Sequence, residues 1–89
     1  MARVAFTTNL QRHVACPTQD VPGNNVRTVL DAVFATNPRL RSYILDDQNR
    51  LRRHVHIYVN ESRIADPTGL SDLVRDSDEV FVFQALTGG

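Results

Sequence analysis

The chain has no lysine, and all ten of its basic residues are arginine. A lysine amine can accept an acyl group to form an amide, whereas an arginine guanidinium stays protonated and does not react in this way. Only the N-terminal amine could therefore accept an amide bond, which excludes chains of this protein linked through its own lysines.

Cysteine is nearly absent, since Cys16 is the only one among 89 residues. An internal disulfide is therefore excluded. Cys16 precedes Pro17 in a polar stretch without a nucleophile motif, so we interpret it as an exposed or half-buried thiol with no catalytic role. A Ser/His/Asp constellation, a phosphate-binding loop and a CxxC motif are also lacking. The sequence therefore predicts a protein that is not an enzyme and has no cofactor of its own.

An excess charge of either sign and long apolar runs are lacking too. The formal net charge is +0 and the isoelectric point is about 6.8, which argues against nucleic acid as the main partner because phosphate neutralisation needs a basic surface. No apolar run approaches the roughly 20 residues of a membrane span, and residues 1–6 lack the apolar region of a signal peptide. We therefore expect one domain over residues 1–89, located in the cytoplasm and bound to neither nucleic acid nor membrane.

Alternating apolar and polar residues predict several short strands. The predicted strands lie around Val4 and Phe6, more weakly over residues 14–21, over 54–59, briefly from Ile64, and over 79–85. The apolar residues among positions 70–74 suit a brief helical turn.

One segment carries the apolar spacing of a helix. Val26, Val29, Leu30, Val33 and Phe34 recur at the spacing of one helical face. An asparagine before them, at position 25 or 24, can cap the helix, and the residue before a proline disfavours its continuation past position 37. Residues 38–53 suit a short helical turn and a loop. One main helix between two strand pairs predicts an α+β fold of the β-grasp type, a mixed sheet packed on that helix with the last strand beside the first.

The last strand has two apolar faces. Val80 and Val82 share one face, while Phe81 and Phe83 share the other, next to His56 and Tyr58. One pair should meet the helix; the other is either exposed or covered by residues 38–53. An aromatic patch left exposed on so small a domain usually marks a partner surface.

The histidines do not predict a metal site. His54 and His56 lie two residues apart on a predicted strand, so both rings should point to one face. Two imidazoles can bind zinc, but a stable site needs three or four ligands. We therefore interpret His54 and His56 as solvent-exposed side chains of the strand.

The sequence ends Leu86-Thr87-Gly88-Gly89, directly after the last predicted strand. Glycines have no Cβ, so such a tail can enter a channel that a side chain would block. Its α-carboxylate is a poor electrophile until it is activated, which suits a carrier whose terminus is adenylated. Gly89 would be the reacting residue and Gly88 would provide clearance, while a partner would grip Leu86 together with the aromatic patch. The alternatives are a frayed end with incidental glycines and a Gly89 exposed by processing of a precursor.

The whole chain resembles the MoaD/ThiS family of ubiquitin-like sulfur carriers. The resemblance is carried by Ile57-Tyr58-Val59-Asn60-Glu61, by Leu73 with Asp76-Ser77-Asp78-Glu79-Val80, and by the final two glycines. Within that family the length and residues 43–60 are most similar to the cysteine-biosynthesis carrier of the CysO type. The tail departs from the family, because relatives commonly have small residues where Leu86 and Thr87 stand.

The resemblance implies a mechanism and partners. A ubiquitin-activating-enzyme-like adenylyltransferase would bind the open sheet face, join the Gly89 carboxylate to AMP from ATP, and allow its conversion to a thiocarboxylate. The sulfur acceptor would be a PLP-dependent cysteine synthase, followed by a metallopeptidase that releases cysteine, or the large subunit of molybdopterin synthase. Two other functions stay open: a protein modifier that forms amides with lysines of its targets, and a plain interaction domain.

Overall fold

The computed structural model describes residues 1–84, so the predicted tail over residues 86–89 and the end of the last predicted strand lie outside it. The described part of the chain contains five strands and three helices. In chain order these are β1 (Ala2–Phe6), α1 (Thr8–Gln11), β2 (Gln19–Val21), α2 (Val26–Thr36), α3 (Pro38–Ile44), β3 (Val55–Val59), β4 (Ser62–Arg63) and β5 (Glu79–Gln84).

The strands form one mixed sheet in the order β2-β1-β5-β3-β4. β1 and β5 pair in parallel, and the other neighbours pair antiparallel. β5 therefore lies at the centre beside β1, as the sequence predicts. With α2 packed on one face of this sheet, the predicted α+β fold of the β-grasp type is confirmed.

Helix α2 forms where the apolar spacing predicts it. All five residues of its apolar stripe are buried. The Asn25 side chain accepts a hydrogen bond from the Thr28 N–H at 2.8 Å, and the Thr28 hydroxyl accepts one from the Asn25 N–H at 3.3 Å. This capping box selects Asn25 over Asn24 as the cap, a role that contributes about 1 kcal/mol to stability.

Residues 38–53 lie on the helical side of the sheet. They form the seven-residue helix α3, which is longer than the predicted turn, and a loop after it. Leu40 and Ile44 of α3 are buried in the same core as Val80 and Val82 of β5. The segment therefore leaves the opposite face of the sheet open. No helix within residues 1–84 is long and apolar enough to cross a membrane.

Several predicted boundaries are wrong. The returning strand covers only Gln19–Val21, and the short helix α1 precedes it. His54 lies in the turn before β3, so it does not share a strand face with His56. The edge strand ends at Arg63, just before the buried Ile64, whose N–H still donates to the Ile57 carbonyl at 3.0 Å. Ile64 is thus placed by a hydrogen bond to β3 and not by an edge strand of its own.

The predicted helical turn over residues 70–74 does not form. The Leu70 carbonyl accepts the Arg27 N–H at 2.9 Å, and the Asp72 carbonyl accepts the Val26 N–H at 3.0 Å. These donors belong to the first turn of α2, whose N–H groups have no acceptor within the helix. The segment therefore runs across the N-terminus of α2 and satisfies it.

A carboxylate organises the turn before that crossing. Asp66 accepts hydrogen bonds from the Ser71 hydroxyl at 2.6 Å and from the Gly69 N–H at 2.8 Å. The Ser71 hydroxyl and then the Gly69 N–H lower the pKa of Asp66, because both bonds favour its charged form. Folding therefore stabilises the ionised carboxylate at this turn.

We expect Asp66→Asn to be less stable than wild type at neutral pH and to approach it in acid. A lowered folded pKa means that this stabilisation is present above the unfolded pKa of about 3.9 and is lost as the pH falls through the folded value. Urea unfolding near pH 7 and near pH 3 measures the difference. Asp31→Asn, on the exposed side of α2, is the control. If the free energy of unfolding of Asp66→Asn differs from that of wild type by the same amount at both pH values, this account is contradicted.

Candidate functional site

The alternation along β5 places its two aromatic residues on the open face of the sheet. Val80 and Val82 are fully buried against the helices, whereas Phe81 and Phe83 are 36% and 40% exposed. Of the two arrangements that the sequence allows, the structure has the valines inside. The central strand therefore presents two phenylalanine rings to solvent.

Strand β3 completes this surface. Tyr58 lies opposite Phe81 and His56 lies opposite Phe83 in the antiparallel register. The His56 and Phe83 rings are stacked, with centroids 6.4 Å apart and planes inclined by 27°. We call these four residues the aromatic face. The structure thus brings together every predicted partner-binding residue that it describes.

An arginine that the sequence did not predict contacts this face. The Arg63 Nη2 atom lies 2.8 Å from His56 Nδ1. Since a guanidinium only donates, Nδ1 must accept, and the ring is neutral in this contact. Burial, and then the charges of Arg63 and His54, lower the pKa of His56, so at neutral pH the imidazole is an uncharged part of the face. Arg63 reaches His56 because the β3–β4 hairpin pairs Arg63 with Tyr58. No sequence motif predicts this register.

One end of the face is braced by a side-chain amide. Asn60 accepts the Glu79 N–H at 3.0 Å and donates to the Asp78 carboxylate at 3.1 Å. These bonds fasten the β3–β4 hairpin to the start of β5. The two strands that carry Phe81 and Tyr58 are therefore joined at this end by side-chain hydrogen bonds as well as by their backbone pairing.

The opposite end of β5 leads toward the predicted tail. The Gln84 N–H donates to the Thr7 hydroxyl at 3.2 Å, which anchors the last described residue to the segment after β1. The remaining predicted site residues, Leu86, Gly88 and Gly89, lie outside the described residues. The two phenylalanines of the aromatic face thus lie on the strand that precedes these residues in the sequence.

Other candidate chemistry finds little support in the described part of the chain. Residues 1–84 contain no group of three or more histidine, cysteine, aspartate or glutamate side chains placed to hold a metal ion. Cys16 is buried instead of exposed or half-buried, and burial raises the pKa of its thiol. The reactive thiolate is therefore disfavoured.

Comparison with known proteins gives a family and a fold. The model of the ThiS family matches residues 10–89. The structure of the BexX/CysO complex from Amycolatopsis orientalis contains a chain with a TM-score of 0.84 and 23% identity, with 100% of both chains covered. SAMP1, the small archaeal modifier protein 1 of Methanosarcina acetivorans, has a TM-score of 0.81 and 26% identity, covering 99% of this chain and 95% of its own.

Mycobacterium tuberculosis CysO has a TM-score of 0.81 and 24% identity, covering 97% of this chain and 100% of its own. No curated protein sequence is significantly similar to this chain. The structural matches agree with the β-grasp arrangement of the sheet, and the family match extends over most of the sequence. The chain therefore belongs to the ThiS family.

Proposed function

We propose that this protein is a sulfur carrier whose Gly89 carboxylate is adenylated and then converted to a thiocarboxylate that donates sulfur in biosynthesis. The observation that carries this proposal is the ThiS-family match, which continues through Gly88 and Gly89. The exposed aromatic pair on β5 supports it, because a partner holding this strand is placed next to the tail.

The chemistry proceeds in two displacements, the first at the α-phosphorus of ATP and the second at the Gly89 carbonyl carbon. The carboxylate attacks the α-phosphate of ATP and releases pyrophosphate, giving an acyl-adenylate. A sulfide nucleophile then attacks the carbonyl, forming a carbon–sulfur bond and releasing AMP. The resulting thiocarboxylate is anionic at neutral pH and nucleophilic, for the same reason that a thiolate is more reactive than a thiol.

In this scheme the carrier is a protein cosubstrate. The adenylyltransferase, of the ubiquitin-activating-enzyme-like type, binds ATP and supplies the catalytic groups, so the carrier needs no cofactor. The aromatic face provides the docking surface, the partner also grips Leu86, and Gly88 leaves the channel clear of side chains. We place this exchange in the cytoplasm, where biosynthetic enzymes and ATP are found.

For the pathway, we favour cysteine biosynthesis. The full-length similarity to two CysO structures supports this choice. The sulfur acceptor would then be a PLP-dependent cysteine synthase, with a metallopeptidase acting afterwards. Donation to the large subunit of molybdopterin synthase is the alternative acceptor, and it uses the same Gly89 thiocarboxylate.

A second function is favoured by one comparison. The Methanosarcina acetivorans relative is described as a modifier protein and is 26% identical to this chain. A modifier uses the same activated carboxylate but joins it to a lysine amine of a target through an amide bond. The two functions therefore differ in the product formed at Gly89 and not in its activation.

Intact-protein mass spectrometry tests the proposal. The carrier is incubated with ATP, a sulfide source and the adenylyltransferase of the same organism. We expect a gain in mass equal to the replacement of one oxygen by sulfur, and we expect none when Gly89 is deleted. The same measurement on carrier isolated from cells shows whether Gly89 is its natural terminus.

Two results would overturn sulfur carriage. One is an unchanged mass with an adenylyltransferase that activates another carrier under the same conditions. The other is conversion only to amide-linked conjugates, which would establish the modifier function instead. Each candidate acceptor enzyme, with its own substrate, is then added to the thiocarboxylate, and the enzyme that consumes the thiocarboxylate identifies the pathway. With the cysteine synthase, the original mass returns only after the metallopeptidase has acted.

A further inference from the structure

A cleft of about 240 Å³ opens beside the aromatic face, between the loop before β3 and the segment after β4. Its charged side chains are those of Arg52, Arg53 and Arg63, and no aspartate or glutamate lines it. Apolar side chains, including Ile64, complete its lining. Three positive charges thus surround a small concave site on a protein whose net charge is +0.

These three arginines are not neutralised by the described part of the chain. Within residues 1–84 the arginines that form ion pairs are Arg3 and Arg50. Two of the cleft arginines are nevertheless held in place by neutral acceptors: Arg52 Nε donates to the Ser42 carbonyl at 2.7 Å, and Arg63 donates to His56. Each guanidinium has five N–H donors, so donors remain for an external anion on groups that are already positioned.

His56 joins the cleft to the aromatic face. His56 lines the cleft, and its ring stacks on Phe83. A protein that covers Phe83 therefore reaches the arginines without contacting a second, separate surface. Because the site continues an apolar docking surface, its ligand is expected to belong to a protein and not to be a free anion.

We propose that the cleft receives an acidic segment, aspartate or glutamate carboxylates, of the protein that grips the aromatic face. This inference rests on the proposed function, in which that protein is the adenylyltransferase. Planar guanidinium groups suit carboxylates because they can donate two parallel hydrogen bonds to one carboxylate. Carboxylates next to an apolar patch would fix the orientation of the carrier, and hence the direction in which its tail points.

The first test uses a hexaglutamate peptide and does not depend on any enzyme. Titrated into ¹⁵N-labelled protein, the peptide should shift the amide signals of Arg53, His56 and Arg63. The charge reversal R53E/R63E should abolish these shifts. The matched control is R39E/R41E, which makes the same charge change on exposed positions of α3, and it should preserve them. Shifts that are absent, or that persist in R53E/R63E, would overturn the inference, as would tighter binding of inorganic phosphate than of the peptide.

The second test measures adenylation. With R53E/R63E we expect the KM for the carrier to rise about tenfold to a hundredfold, and the rise of KM with salt seen for wild type to weaken. The KM of R39E/R41E should stay within about twofold of wild type. The neutral variant R53Q/R63Q should raise the KM for the carrier by a smaller factor. It replaces R53E/R63E in this test if the charge-reversed variant does not fold.

The two hypotheses fail in different ways. Wild type that binds the peptide at the cleft but is never adenylated contradicts the proposed function. Wild type that is adenylated with a KM unchanged by R53E/R63E contradicts the acidic segment and leaves the carrier function intact.

Discussion

Replacing Phe81 and Phe83 together with alanine is expected to reduce kcat/KM for adenylation by about a hundredfold or more while the protein stays folded. Exposed aromatic residues at the centre of an interface commonly contribute 2 kcal/mol or more each, non-additively, and about 2.7 kcal/mol corresponds to a hundredfold. Both rings already stand on a braced strand pair, so little of their binding energy is spent on ordering. The reduction in kcat/KM should come mainly from a higher KM for the carrier, because the carboxylate that is adenylated is unchanged.

The control for this prediction is Leu73→Ala. Leu73 is 60% exposed and lies in the segment that crosses the N-terminus of α2, away from the aromatic face. The substitution removes exposed apolar surface without changing β5, and we expect its kcat/KM for adenylation to stay within about twofold of wild type. Initial adenylation rates over a range of carrier concentrations, with thermal unfolding of each variant, separate docking from stability. Equal losses in the phenylalanine and leucine variants would show that the aromatic face has no special role.

Val33→Asp is expected to unfold the protein. Val33 lies in the apolar stripe of α2 and has no exposed surface. An aspartate there would place a carboxylate among apolar side chains with no hydrogen-bond donor in the stripe, which costs several kcal/mol. A small domain without disulfides has about 5–15 kcal/mol of total stability, and one of this size is nearer the lower end. Protonation of the carboxylate would reduce the cost but would still leave a polar group in the core.

Circular dichroism and urea unfolding measure this effect. Ala35→Asp, on the exposed side of the same helix, introduces the same side chain without burying it. We expect that control to lose about 1 kcal/mol or less, from helix propensity and an acidic group near the helix C-terminus. A cooperative unfolding transition of Val33→Asp close to that of wild type would show that this site admits water or rearranges.

The buried valines and the exposed phenylalanines of β5 lie on opposite faces of the strand, and this separation bears on the proposed function. Val80 and Val82 hold β5 in the core, while Phe81 and Phe83 on the same strand remain available to a partner. In the proposed function, stability and docking would thus depend on opposite faces of one strand. Variants on the open face are then expected to change partner binding without unfolding the protein.

Local sequence patterns were sufficient to predict the helix and strand that depend on residues close together in the sequence. The spacing from Val26 to Phe34 specifies a helix with one buried side, and Asn25 caps it through contacts within four residues. The alternation from Val55 to Val59 likewise specifies a strand. Each of these follows from the 3.6-residue and 2-residue periods of the backbone, which need no information from the rest of the fold.

Tertiary structure decided the features that local patterns leave open. Both faces of β5 are apolar, so period alone does not say whether valine or phenylalanine packs inside; the smaller valines fit beneath the helices. Residues 70–74 have helical spacing, yet the Leu70 and Asp72 carbonyls accept hydrogen bonds from N–H groups in the first turn of α2, and no helical turn forms. Arg63 reaches His56 only through the register of a hairpin.

The same division applies to the candidate site. The sequence by itself determined the candidate tail and the aromatic residues, because these depend on residue type and order. Only the folded chain decided which aromatic residues face solvent and which arginines stand beside them. Those properties depend on contacts between residues distant in sequence, whose energies no local pattern contains.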